Sequence, residues 1–308
     1  MKKYILLTGA TGFLGSHICH ELIRNGYNVI ALKRSFSNIW RIKDILHEIR
    51  VYDIDKEDLK VAFTTNKVDT VIHTATNYGR GSKSFLDVFE SNVSFPLKLL
   101  NLSLEHNVNS FLNTDSFLNR DTIIYEYLNF YSITKKQFVE WLRVVSGRLR
   151  VFNIRLEHLY GEMDDDKKFI PMLILKFLNN SKSIKMTAGD QERDFIYVKD
   201  VVRAYIDILQ RKDSFDLGFH EYSVGSGESV KIKDVVLMLK KLSCNEVTKL
   251  KIGEIPYRKN EIMYSKADLE KIRNEIGWSH KYSLKEGLQK TLYWYKNSKD
   301  GNARRNNQ

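Results

Sequence analysis

The chain has 308 residues, 43% of them hydrophobic and 28% charged, so it can bury a full core and is neither a disordered polymer nor one small module. Two cysteines, Cys19 and Cys244, exclude a disulfide framework and cannot alone supply a zinc-ribbon or iron–sulfur ligand set. Forty-nine Lys and Arg against 38 Asp and Glu leave a net charge of +11, which suits acidic ligands, yet the cations are scattered and form no basic stripe with interleaved aromatics.

The opening reads as an apolar strand over Tyr4–Thr8, a loop over Gly9–Gly15, an amphipathic helix over Ser16–Asn25, a turn at Gly26-Tyr27 and a second strand over Asn28–Leu32. That is one βαβ unit of about 30 residues. Further short apolar runs fall at Val68–His73, Ser110–Asn113 and Leu149–Arg155. Between them lie Leu86–His106 and Tyr131–Val145, whose apolar residues return every three or four positions. Strand alternating with helix predicts an α/β fold, a Rossmann-type doubly wound parallel sheet over 1–155. After about residue 155 the rhythm changes to helices near Phe169–Leu178, Lys199–Gln210, Ile232–Leu242 and Leu284–Tyr295, with short strands at Ile184–Thr187 and Phe195–Val198. Residues 156–300 therefore read as a smaller α+β substrate-binding lobe, from which some segments return to the sheet, and 301–308 as a frayed tail. No apolar run approaches the roughly 18–20 residues that cross a bilayer. The start Met1-Lys2-Lys3 leads into no cleavage site, so a cytoplasmic protein that engages no membrane is expected.

Gly9, Gly12 and Gly15 recur every third position where a strand turns into a helix, in Gly9-Ala10-Thr11-Gly12-Phe13-Leu14-Gly15. The spacing gives a tight turn, bare backbone for a pyrophosphate and close helix–strand packing, with helix N-terminal amides facing the anion. At the end of the second strand, where an NAD-binding protein usually carries an acid, this chain has Lys33-Arg34. Two cations there suit a ribose 2′-phosphate and favour NADP over NAD. Asp53-Ile54, after the third strand candidate, is a candidate contact to the adenine, against the alternative of a solvated loop acid. Tyr131 and Lys135 stand one helical turn apart, and an ammonium beside a phenol is expected to pull its pKa down from about 10. Ser116 follows an apolar strand and shares a face with Thr114, so its hydroxyl would lie at the carboxyl end of a parallel strand, where ligands of such sheets bind. The eight histidines show no metal-ligand spacing, and no metal is expected.

Together these residues resemble the extended short-chain dehydrogenase/reductases, the NAD(P)-dependent sugar-nucleotide epimerase, dehydratase and reductase family. The likeness runs over nearly the whole length. It includes His73-Thr74-Ala75-Thr76, Asn92, Arg193-Asp194-Phe195-Ile196-Tyr197-Val198, and Arg258 with Glu261. It implies that Thr74, Ala75, Thr76 and Asn92 line the coenzyme, that Arg193 and Arg258 bind a nucleotide-sugar pyrophosphate, and that Glu261 sits near the nucleoside. Longer blocks, Phe111–Phe117, Arg155–Gly161, Lys168-Phe169-Ile170-Pro171 and Asn260–Met263, resemble the reductases of CDP-4-keto-3,6-dideoxyglucose within that family. Lys168 and Phe169 then join the substrate site. There are two departures: His158 stands where many relatives carry a substrate-binding Asn, and Asp115 interrupts the usual run of small hydroxyl residues before Ser116.

The resemblance implies an NADPH-dependent 4-ketoreductase of a nucleotide-activated deoxyhexose, feeding a bacterial surface polysaccharide. Tyr131 would give its proton, Ser116 would hold the carbonyl oxygen and Lys135 the nicotinamide ribose. The alternative on the same fold is a 4-epimerase with tightly bound NAD. A silent dinucleotide sensor or nucleic-acid binder is the third reading, against which both Tyr131 and Lys135 remain. Family members commonly pair through the helices that include the Tyr-x-x-x-Lys segment, so a homodimer is expected, with Phe138, Trp141 and Leu142 as candidate contacts.

Overall fold

The structure is a computed structural model and describes residues 2–79, 84–119 and 128–298. The expected tail at 301–308 lies outside the described residues. Strands β1 (Lys3–Thr8), β2 (Asn28–Lys33), β3 (Arg50–Asp53), β4 (Lys67–His73), β5 (Ser110–Ser116) and β6 (Arg150–Leu156) alternate with helices α1 (Phe13–Arg24), α2 (Leu59–Thr64), α3 (Phe85–Phe89), α4 (Phe95–Glu105) and α5 (Asn129–Val145). Further along come β7 (His158–Tyr160), α6 (Phe169–Leu178), β8 (Ser183–Met186), β9 (Glu192–Arg193), β10 (Phe195–Tyr197) and α7 (Val198–Arg211). The chain closes with β11 (Gly218–Val224), β12 (Val230–Lys231), α8 (Ile232–Leu242), β13 (Lys249–Ile252), α9 (Glu270–Ile276) and α10 (Leu284–Asn297).

The central sheet has seven strands in the order β11-β6-β5-β4-β1-β2-β3, and each pairing from β6 to β3 is parallel. Strand order reverses between β1 and β4, which places the topological switch point at their carboxyl ends. In β1, Tyr4 through Thr8 are all buried, as a parallel strand covered on both faces must be, which is why its sequence is an unbroken apolar run.

The expected helix over Leu86–His106 is divided. Residues Glu90–Ser94 form a wide π turn between α3 and α4, and Pro96 opens α4; proline cannot donate to the preceding turn, and π turns concentrate at functional sites. Strand β5 also runs three residues beyond its apolar stretch, through Thr114, Asp115 and Ser116, because β6 pairs with it to the end.

The chain separates into two compact units. The first comprises Met1–Leu156, Val202–Ser223 and Lys271–Trp278, and the second Glu157–Val201, Val224–Glu270 and Ser279–Gln308. The first holds the sheet and a core built from Leu6, Ile30, Val71, Phe111, Phe138, Leu142 and Val151 among others. Within the second, α6, α8 and α10 stand with the short pairs β7–β10, β9–β12 and β8–β13. Among the described residues no helix is long and apolar enough to cross a membrane.

Candidate active site

In the first unit, β1 ends at Thr8 and the chain turns through Gly9, whose φ of +71° lies in the left-handed region that a side chain disfavours. A Cβ on Gly9 would stand 2.5 Å from Thr74 Oγ1, and one on Gly15 would stand 2.1 Å from the Gly9 carbonyl oxygen. Both positions must therefore stay bare for α1 to pack against the turn. Gly12 caps α1 without a side chain, and its N–H donates to Gly9 O at 2.8 Å. Thr11, Phe13 and Leu14 complete the turn, and Arg41 Nη1 donates to Thr11 O at 3.2 Å. The bare turn and the open first turn of α1 fit a dinucleotide pyrophosphate.

Beside it, Thr8 Oγ1 accepts from the backbone N–H of Thr74 and of Ala75, each at 3.2 Å, and lies 2.8 Å from His73 Nδ1. Burial holds His73 well below the ordinary histidine range, with the Lys135 charge adding, so its ring is neutral. Asn92, in the π turn, accepts from Thr76 Oγ1 and Asn77 N and donates to Asn77 O and Thr134 Oγ1, at 2.8–3.1 Å. An asparagine amide offers two donors and two acceptor positions. All four are used within the protein, so Asn92 fastens the 76–77 segment to α5 instead of serving as a free coenzyme contact.

At the ends of β2 and β3, the two cations expected to meet a ribose 2′-phosphate each have a carboxylate beside them. Strand register sets Lys33 opposite Asp53. Lys33 Nζ lies 2.8 Å from Asp53 Oδ2, and Arg34 Nε lies 2.5 Å from Asp55 Oδ1. Ser35 Oγ donates to Asp53, Ser35 N donates to Asp55, and Ile54 N donates to Lys33 O. The Lys33 ammonium and the Ser35 hydroxyl keep the Asp53 carboxyl below the usual range. The charge expected from sequence is present, and the carboxylates that neutralise it stand beside it.

The catalytic candidates converge where α5 meets the end of β5. Tyr131 and Lys135 are 5% and 4% exposed. Lys135 Nζ donates to Thr114 O at 2.7 Å and lies 5.9 Å from the Tyr131 ring centre. The Ser116 hydroxyl lies near enough to the Tyr131 phenol to pull its pKa down. Tyr78 stacks on Tyr131, with ring centres 4.9 Å apart and planes 23° from parallel. Thr114 Oγ1 is taken by Tyr205 Oη at 2.6 Å. The electrostatics reverse one expectation: burial drives the Tyr131 phenol well above its ordinary pKa, with Tyr78 and Asp115 adding, and only the Ser116 hydroxyl opposes. The same burial takes Lys135 down to about 8, opposed by Asp115. Desolvation outweighs the ammonium's pull on the phenol, so Tyr131 carries its proton.

In the second unit, Arg193 on β9 has Nη1 donating to Glu192 O at 2.9 Å and Nη2 2.7 Å from Glu261 Oε1, with both side chains nearly buried. The expected pyrophosphate arginine and nucleoside acid are therefore partners of each other, and Glu261 N donates to the carbonyl of exposed Arg258. His158 on β7 packs against Phe195, with ring centres 5.8 Å apart, and has Nδ1 3.7 Å from Glu157 Oε2. Phe169 stacks on Phe195 at 6.2 Å, and Lys168 caps α6.

Tyr78 and Asp55 escaped sequence reasoning. Tyr78 lies in a loop beyond β4 with no periodicity to mark it, whereas Asp55 would have followed from pairing β2 with β3.

Comparison with known proteins bears on what this arrangement does. The model of the NAD dependent epimerase/dehydratase family matches residues 5–225. CDP-abequose synthase of Salmonella muenchen is 36% identical over 295 residues, covering 95% of this chain and 98% of that protein. The crystal structure of UDP-glucose 4-epimerase from Thermotoga maritima with UDP-glucose superposes with a TM-score of 0.82 at 22% identity, covering 95% of this chain and 98% of that one. UDP-glucuronic acid 4-epimerase from Bacillus cereus, in complex with UDP-glucuronic acid and NAD, gives a TM-score of 0.81 at 23% identity, with the same coverage. The last two likenesses show the fold.

Proposed function

The chain belongs to the NAD dependent epimerase/dehydratase family, and on that premise we propose that it reduces the C4 ketone of a nucleotide-activated deoxyhexose with a reduced nicotinamide coenzyme. The observation that carries the reading is a buried, protonated Tyr131 with Lys135 one turn away and bonded to Thr114 O on the strand that ends at Ser116. A phenol held above its ordinary pKa is a proton donor, and a ketone under reduction needs one. The 36% identity to a CDP-abequose synthase over almost all of both chains supports a CDP-sugar substrate.

When bound, the coenzyme supplies the hydride that becomes the new C–H bond at C4. The glycine turn at Gly9, Gly12 and Gly15 holds its pyrophosphate, with Thr74, Ala75 and Thr76 alongside. Ser116 orients the carbonyl oxygen, Tyr131 gives that oxygen its proton, and Lys135 supports the developing negative charge and holds a ribose hydroxyl. In the second unit, we take Arg193, Arg258 and Glu261 as the nucleotide contacts, once the Arg193–Glu261 pair opens, and His158, Lys168 and Phe169 as the sugar contacts. Because Lys33 and Arg34 already have carboxylate partners, a ribose 2′-phosphate would have to compete with Asp53 and Asp55, whereas those acids would accept bonds from a 2′-hydroxyl. We therefore read the site as taking NADH at least as readily as NADPH, acting in the cytoplasm.

The test offers NADH and NADPH in turn with a panel of 4-keto nucleotide sugars, following coenzyme oxidation and product configuration by NMR. Coenzyme oxidation with a CDP-4-keto-dideoxyhexose is the expected result. The second reading, a 4-epimerase, gains from the pairing of Lys33 and Arg34, which removes an objection to NAD. Protein that purifies with stoichiometric oxidised NAD and interconverts C4 epimers without added coenzyme would establish it instead.

We also propose that the protein works as a homodimer. Along α5, Phe130, Ile133, Trp141 and Val144 recur on one helical face and are exposed, and exposed Phe85 on α3 packs on Phe130 with ring centres 5.9 Å apart. Phe138 and Leu142, expected from sequence as contacts, face the core instead. An apolar stripe of this kind on a soluble surface marks an interaction site. Trp141→Glu combined with Val144→Asp is expected to convert a dimer to a monomer in analytical ultracentrifugation, with the folded far-ultraviolet spectrum retained.

A further inference from the structure

Within the second unit, residues 255–263 form a strap with no helix or strand of its own. Its ends are fixed to backbone. Ile255 N donates to Met186 O at 3.2 Å, and at the far end Glu192 N donates to Met263 O at 2.8 Å while Ser265 N donates to Glu192 O at 3.1 Å. Between those ends the Tyr257 phenol accepts from Asp190 N at 3.1 Å and donates to Asp190 Oδ2 at 3.3 Å, and Glu261 reaches Arg193. Residues 255–260 are exposed, whereas the Arg193 and Glu261 side chains are 8% and 10% exposed. The strap thus turns inward at Glu261.

The inward turn has a local cause. Asn260 has a φ of +56°, in the left-handed region that asparagine tolerates better than most side chains, and Glu261 N closes the turn on Arg258 O at 3.1 Å. Arg258 and Glu261 are thereby members of one turn, the cation exposed and the acid nearly buried. An arginine does not lose its charge in a protein, so a guanidinium nearly out of water needs an anion against it. Here that anion is Glu261, whose Oε1 lies 2.7 Å from Nη2, while Nη1 donates to Glu192 O at 2.9 Å.

We propose that Glu261 is a specificity-determining counter-ion: it occupies the place of a phosphate on Arg193, and the strap gives that place up only to a ligand that brings a diphosphate of its own. A neutral sugar or nucleoside has no anion to offer, so displacing Glu261 would leave Arg193 buried and unpaired, the costly way to break such a pair. A diphosphate replaces the carboxylate with more charge and with oxygens matched to the guanidinium fork. Glu261 then turns to solvent, and Arg258 moves with it because one hydrogen bond closes both into the turn. Each diphosphate is bound against this competition, so its affinity is lower than Arg193 alone would give. This rests on the reading of Arg193 as a nucleotide contact, and makes the chain's own acid the substrate's rival there.

The test titrates the whole protein calorimetrically with inorganic pyrophosphate and, separately, with cytidine. Glu261→Gln keeps an oxygen that accepts from Arg193 but removes the charge, and a charge-assisted bond is roughly twice as strong as a neutral one. Pyrophosphate affinity is therefore expected to rise about tenfold in Glu261→Gln, with cytidine affinity unchanged. The binding at this site is the part lost when Arg193→Met is added to Glu261→Gln, a combination that leaves neither charge buried alone. Glu261→Ala carries the same expectation and serves if the amide variant fails to fold. Unchanged or weaker pyrophosphate binding in a folded variant overturns the proposal, and weaker cytidine binding beside it would mark Glu261 as a ribose contact instead. Failure of the underlying reading looks different: pyrophosphate binding then survives Arg193→Met undiminished, and the proposal falls with it. Neither probe is reduced, so the outcome is independent of whether the wild type oxidises a coenzyme.

Discussion

Tyr131→Phe is expected to bind reduced coenzyme with wild-type affinity and to turn over roughly 100- to 10,000-fold more slowly, the range spanned by removal of a positioned general acid. The substitution is sterically silent. The phenylalanine ring keeps the stack on Tyr78, and the glycine turn proposed to hold the pyrophosphate does not involve the phenol. Only the O–H is lost. Nicotinamide fluorescence titration measures the binding, and single-turnover coenzyme oxidation measures the chemistry apart from product release. Wild-type turnover in the variant would remove Tyr131 from the reaction.

Gly15→Ala carries the second large effect, this time on binding. The added carbon would stand 2.1 Å from the Gly9 carbonyl oxygen and 2.6 Å from its carbonyl carbon, and backbone cannot swing aside as a side-chain tip would. The start of α1 must move away from the turn, and the amides proposed to face the pyrophosphate move with it. Overpacking of this kind costs about 1–3 kcal/mol, so coenzyme affinity should fall by about ten- to a hundredfold. Gly26→Ala is the control. Its φ of +75° strains any side chain, yet nothing lies within 4 Å of the added carbon and the position is outside the turn. That variant should lose about 1 kcal/mol of stability and no coenzyme affinity. Equal coenzyme affinity in Gly15→Ala and wild type, by the same fluorescence titration, would contradict the assignment of this turn.

What could be read from sequence was local. The β1–turn–α1 unit announces itself because an apolar run, glycines and an amphipathic run follow one another within one short stretch. Tyr131 and Lys135 lie together because four residues make one turn. What escaped depends on distance in sequence. Strand β11 has polar residues at alternate positions and no apolar run, so its place beside β6 comes from packing. The ion pair of Arg193 with Glu261 spans 68 positions, and the pairs at Lys33 and Arg34 require the register of β2 against β3. The direction of the Tyr131 shift was missed for another reason. Residue spacing gives the sign of a neighbouring charge, but not the depth of burial that outweighs it.

The chain passes from one unit to the other after Leu156, Val201, Ser223, Glu270 and Trp278. A cut after Leu156 would strip β11 from the sheet and bare the whole outer edge of β6, a row of unmet amides and carbonyls open to any passing strand. Neither half can be lifted out as a cassette.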